Sequence, residues 1–119
     1  MTNELEPWCA GILSKHTLDA VAVLADLLNA ARARGECSAD DVQARNYSRP
    51  QIVGAVFKLL PTFGLRKNRA RWFASKHKTN HGREIYMYEV VDSRKVNAAV
   101  GVCRRLLLAE DQDGQGVLL

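Results

Sequence analysis

The amino-acid sequence predicts a mainly α-helical chain with a small β-hairpin, an α+β class, and three observations carry that expectation. An Ala- and Leu-rich run over 17–34 has helix signals at both ends. A second apolar stripe starts behind Ser48-Arg49-Pro50 and continues to about Leu60. Behind the polar turn Asn80-His81-Gly82, the run Ile85 to Val91 alternates aliphatic and aromatic residues, which is the content of a strand.

The helix over 17–34 has Thr17 as N-cap and Asp19 in its first turn. Arg32 and Arg34 lie in the last turn, where they suit the helix dipole, and Gly35 stops it. Its stripe of Leu18, Val21, Leu24, Ala25 and Leu28 is widened by Val23 and Leu27, which predicts cover on more than one side. Ser38 to Asp41 has the spacing of a capping box and predicts a short second helix through Val42 to Arg45, followed by a turn at Asn46 and Tyr47. Pro50 then sits in a first turn, where its missing N–H has no partner in any case. The third helix turns Ile52, Val56, Leu59 and Leu60 inward, leaves Ser48, Gln51, Gly54, Ala55 and Lys58 opposite, and ends at Pro61 and Gly64.

Between Leu65 and Lys78 two patterns compete. Arg69, Trp72, Phe73 and Lys76 fit helical spacing, while the pairing expected with the return strand reads Trp72 to Lys76 as a strand. On the return strand Tyr86, Tyr88 and Val90 share one face, and Ile85, Met87 and Val91 share the other. A last helix, from Ser93 to about Ala109 with Asp92 or Ser93 as cap, carries Val96, Ala99, Val100, Cys103, Leu106 and Leu107 as a seam for another helix. Gly101 inside it costs about 1 kcal/mol relative to Ala, which predicts a neighbouring backbone close by.

With 119 residues and 47% hydrophobic content, the chain fits one domain over 1–109 that needs no covalent staple, with 110–119 as a disordered acidic tail. Cys9, Cys37 and Cys103 form no C-x-x-C pair and read as reduced thiols. The N-terminal residues lack the pattern of a secretory leader, and no apolar segment approaches the ~20 residues of a membrane span, so a cytoplasmic location is expected.

The net charge of +4 hides a strong asymmetry. The 42 residues from Val42 to Arg83 contain no carboxylate and ten cations: Arg45, Arg49, Lys58, Arg66, Lys67, Arg69, Arg71, Lys76, Lys78 and Arg83. Seven basic residues against all thirteen carboxylates leave the remainder at −6. A window of one sign points to a polyanionic partner, and nucleic acid is the first to consider.

The order helix, short helix, turn, capped third helix and basic-tipped hairpin resembles the winged helix-turn-helix superfamily. The segments SRPQIVGAVFKLLPTFGL and GREIYMYEVV carry the likeness: the first resembles a recognition helix, the second the strand leaving the wing. The resemblance spans roughly Thr17 to Val91 and implies a winged helix-turn-helix fold with an additional C-terminal helix. It departs from the simplest pattern in the long segment LRKNRARWFASKHK and in the helix after the hairpin, which is common in members that dimerise. It also implies sequence-specific binding of double-stranded DNA, as by a dimeric transcriptional regulator. Ser48, Arg49, Gln51, Gly54 and Ala55 would then read bases in the major groove. Arg45, Lys58, Arg66, Lys67, Arg69, Arg71, Lys76, Lys78 and Arg83 would meet phosphates or the minor groove. A homodimer would be joined through Leu24, Leu28, Val96, Val100, Cys103 and Leu107.

Other chemistry is less supported. His77 and His81 read as surface histidines rather than metal ligands, and neither metal nor cofactor is expected. Trp72 and Phe73 could stack on bases, but one of two adjacent aromatics in a hairpin is usually core. No catalytic pairing or phosphate loop is present, so an enzyme is not expected. The alternative to a regulator is an adaptor in a replication, partition or phage assembly, binding RNA or an acidic protein through the basic face.

Overall fold

The structure, a computed structural model, describes residues 5–43, 46, 50–74 and 84–118. Its elements are α1 (Leu5–Leu13), α2 (Leu18–Arg34), β1 (Glu36–Cys37), a 3₁₀ turn at Ala39–Asp41 and α3 (Pro50–Phe57). A 3₁₀ turn at Leu60–Phe63, β2 (Leu65–Ala74), β3 (Glu84–Val90) and α4 (Ser93–Leu118) follow. The fold is mixed α+β and mostly helical, with one antiparallel sheet in the order β1-β3-β2. No helix among the described residues is long and apolar enough to cross a membrane.

Helix α2 begins and ends where its side chains dictate. The Thr17 hydroxyl accepts the Ala20 N–H at 3.2 Å, and Gly35 closes the helix at φ 84° while donating to the Ala31 carbonyl. Val21, Val23, Leu24, Leu27, Leu28 and Ala31 are all buried, and α2 is covered by α4, α3, β1 and β3. Each buried Leu contributes roughly 1.5–3 kcal/mol, so this central helix anchors the core. Leu24, Leu28, Val96, Val100 and Cys103 fill that core and Leu107 packs against it. The seam expected between two copies is therefore satisfied within one chain, because α4 folds back onto α2 and α1.

The other helix boundaries also have local causes. Ser38 and Asp41 form the expected capping box, but they start only the 3₁₀ turn: Val42 is extended at φ −73°, ψ 127°. Helix α3 stops at Phe57, three residues before the expected end. The Pro61 ring would clash with the Phe57 carbonyl in a continued helix, and the chain tightens into the Leu60–Phe63 turn instead. The Asp92 carboxylate caps α4, its Oδ1 accepting the Arg94 and Lys95 N–H groups at 3.1 and 3.3 Å. The backbone expected to leave the helix near Ala109 stays helical to Leu118. Once nucleated, a helix propagates with one bond gained per residue, and no proline interrupts it there.

Helix α1 was not legible in advance. It buries Cys9 and Leu13, and its half-exposed Trp8 stands edge-on to buried Phe63 with ring centroids 6.2 Å apart. Gly101 has open space where a Cβ would sit, so no neighbouring backbone explains it.

Candidate functional site

Helix α3 presents a stripe at i, i+3, i+4 and i+7. Gln51, Gly54, Ala55 and Lys58 are exposed, whereas Val53 and Val56 are buried and Ile52 and Phe57 are half-buried against the core. The middle of the outer stripe, Gly54 and Ala55, is low in bulk. A Cβ added at Gly54 would meet nothing within 4 Å, so packing inside the chain does not require this glycine. A mid-helix Gly costs about 1 kcal/mol relative to Ala.

The approach to α3 is held by Asp26 of α2. Its Oδ2 accepts the Gln43 N–H at 2.9 Å and the Asn46 Nδ2–H at 2.7 Å, which pins the segment ahead of the helix. Arg34 donates to both oxygens of Asp41 at 2.7 Å, and that hydrogen bond raises the guanidinium pKa. Neither Asp26 nor Asp41 lies in the basic window, yet both shape its edge.

The sheet has two chemically different faces. On one, Glu36 and Glu89 are register partners across β1 and β3, as are Glu89 and Arg66 across β3 and β2. Arg66 donates to Glu89 at 2.8 Å, Arg71 is salt-bridged to Glu36, and Asn68 Nδ2 reaches Glu89 at 3.4 Å. Two adjacent carboxylates destabilise each other, and the two arginines offset that repulsion. Arg66 and Arg71, expected to meet phosphate, are thus already paired by carboxylates that lie outside the basic window in sequence but beside it in the sheet.

On the other face Tyr88 lies against Phe57 of α3, ring centroids 5.2 Å apart, and is the register partner of Lys67. Burial raises the Tyr88 pKa, and nearby Arg69 offsets part of that rise. Lys67 Nζ stands 4.3 Å from the Tyr86 ring centroid. The Phe57–Tyr88 contact therefore ties the Lys58 end of α3 to the part of the sheet that carries Lys67 and Arg69. Lys58, Lys67 and Arg69 form no salt bridge with a described residue.

Strand β2 resolves the competing patterns in favour of a strand from Leu65 to Ala74, which starts before the expected Trp72 and contains an irregularity; the expected end at Lys76 lies outside the described residues. Asn68 pairs with Met87 and Trp72 with Tyr86, so Arg69, Ala70 and Arg71 are looped out of register, with the Ala70 N–H held by Asn68 Oδ1 at 3.0 Å. Trp72 follows this bulge and is 54% exposed. On β3, Ile85 and Met87 are buried as one face predicts, but Val91 is exposed because the strand ends at Val90 and the chain bends there.

Arg45, Ser48, Arg49, Lys76, Lys78 and Arg83 lie outside the described residues, as do His77 and His81. All three cysteines are buried and none is in a disulfide; burial pushes both Cys37 and Cys103 up to about 12. Comparison with protein-family models, curated proteins and solved structures finds no match.

Proposed function

We propose that the chain is a sequence-specific binder of double-stranded DNA with winged helix-turn-helix architecture, serving as a transcriptional regulator. The observation that carries this reading is the outer stripe of α3: exposed, free of carboxylates, small at its centre in Gly54 and Ala55, and joined through Phe57 and Tyr88 to Lys67 and Arg69. The order of helix, turn, helix and hairpin supports it. Helix α3 has 8 residues and is about 12 Å long, comparable to the width of the major groove. Gln51 can pair with adenine through two hydrogen bonds, Ala55 can contact a thymine methyl, and Gly54 lets the helix backbone approach the base edges. Lys58, Lys67 and Arg69 would meet phosphates and set register without reading sequence.

A two-fold pairing of copies would have to use surface other than Leu24, Leu28, Val96, Val100 and Cys103, which are buried within the chain. The internal pairing of Arg66 and Arg71 leaves less free charge than the sequence window suggests, which favours the adaptor reading as the second choice.

The test is fluorescence anisotropy with random and selected duplexes over a range of salt. Three released counterions from Lys58, Lys67 and Arg69 give a slope of log K against log salt of about −3, and Lys58→Ala should flatten it by about 1. An absence of duplex binding at low salt would remove the DNA reading in favour of the adaptor.

A further inference from the structure

The aromatic content of the hairpin is left unused by a purely phosphate-contacting wing. Trp72 is 54% exposed on β2 and is the register partner of half-buried Tyr86. Lys67 Nζ lies 4.3 Å from the Tyr86 centroid, so a flat aromatic surface and a cation share one patch. The looped-out Arg69-Ala70-Arg71 segment immediately precedes the indole. A bulge bends its strand and re-aims the side chains beside it. Here it sets exposed Arg69 shortly before the exposed ring, while Arg71 is held by Glu36.

From this arrangement we infer that Trp72 is a base-stacking residue and that the preferred partner is DNA opened at one step, with an unpaired base able to leave the duplex stack. The inference rests on the DNA-binding reading and specifies the form of DNA bound. Charge complementarity selects the occupant. An exposed indole on the strand that also carries Lys67 and Arg69 matches a planar base on an anionic backbone, where every base has a π-face to offer and the cations hold the adjoining phosphates. A fully paired helix offers the same phosphates but no exposed base face. The cost of unstacking is least where the base is mismatched or unpaired, so such sites gain most from a waiting ring.

The experiment compares two duplexes of one sequence, fully paired and carrying a single unpaired thymine, titrated with the full chain, Trp72→Ala, Trp72→Phe and Lys58→Ala. The full chain should bind the interrupted duplex roughly 5- to 150-fold more tightly, the range of one base–aromatic stack. Trp72→Ala should bring that ratio near one and Trp72→Phe should restore part of it, while Lys58→Ala weakens both complexes and leaves the ratio standing. Equal binding of the two duplexes by the full chain overturns the inference and leaves the DNA reading intact. A change of sedimentation mass in Trp72→Ala with no change in the ratio also overturns it, because the indole then joins copies of the chain. Binding of neither duplex removes both readings.

Discussion

Replacing Gly64 by Ala should cost the fold about 3 kcal/mol, the largest single loss expected from any one-carbon addition considered for this chain. Gly64 has φ 90°, a conformation that costs an L-residue roughly 1–2 kcal/mol. Its carbonyl accepts the N–H groups of Val91 and Asp92 at 2.8 and 3.1 Å, joining the start of β2 to the exit of β3 and the cap of α4. An added Cβ would collide with the Asp92 carbonyl oxygen and come within 3.1 Å of Lys95 Cβ. The obstacle is backbone rather than a flexible side-chain end, so relief requires moving the α4 cap, and overpacking of this kind costs roughly 1–3 kcal/mol. An unfolding entropy of about 2.1 cal/mol/K per residue amounts to about 0.25 kcal/mol/K here, so the midpoint of thermal unfolding should fall by about 12 °C. Urea unfolding followed by circular dichroism, with an unchanged m value, is the assay. A loss below about 1 kcal/mol would refute the argument, since the turn would then relax without displacing the Asp92 carbonyl.

The contrasting substitution, Gly54→Ala, should stabilise the fold by about 0.5–1 kcal/mol, since the added methyl meets open space, yet weaken duplex binding in anisotropy. Equal or tighter binding would show that α3 does not approach its partner closely at that point. Glu89→Gln should release Arg66 and steepen the salt dependence of DNA binding by about 1, while stability changes by no more than about 1 kcal/mol because Arg66 is well exposed. An unchanged slope would mean that Arg66 does not reach phosphate. For the thiols, the folded chain holds the Cys37 and Cys103 protons to about 12, against an ordinary value of 9.0. Their contribution is complete below pH 9 and is lost as pH rises toward 12, by up to about 1.4 kcal/mol per pH unit for each thiol. Urea unfolding between pH 8 and 11 should show the loss, and replacing both residues by Val should reduce it; an identical slope in the double variant would refute the assignment.

Much of the scaffold was legible from local signals. Thr17 and Gly35 bound α2, the Ser38–Asp41 capping box forms, and the α3 stripe of Gln51, Gly54, Ala55 and Lys58 faces outward as its spacing predicts. These features depend on residues within one or two turns of one another, so the pattern along the chain carries them. β1 was too short to declare itself, and α1 has only nine residues. The seam on α4 was visible as a seam, but an apolar stripe specifies burial and not whose surface buries it.

The amino-acid sequence by itself determined which residues cap, turn and alternate, and it concentrated ten cations in a stretch without carboxylates. Only the tertiary structure decided how much of the charge on the described residues is available. Antiparallel pairing brings Glu36 and Glu89 across the sheet to Arg71 and Arg66, while Lys67 and Arg69 lie near Tyr88, which meets Phe57 just before Lys58. Coulomb interactions depend on distance through space, and strand pairing makes neighbours of residues far apart along the chain.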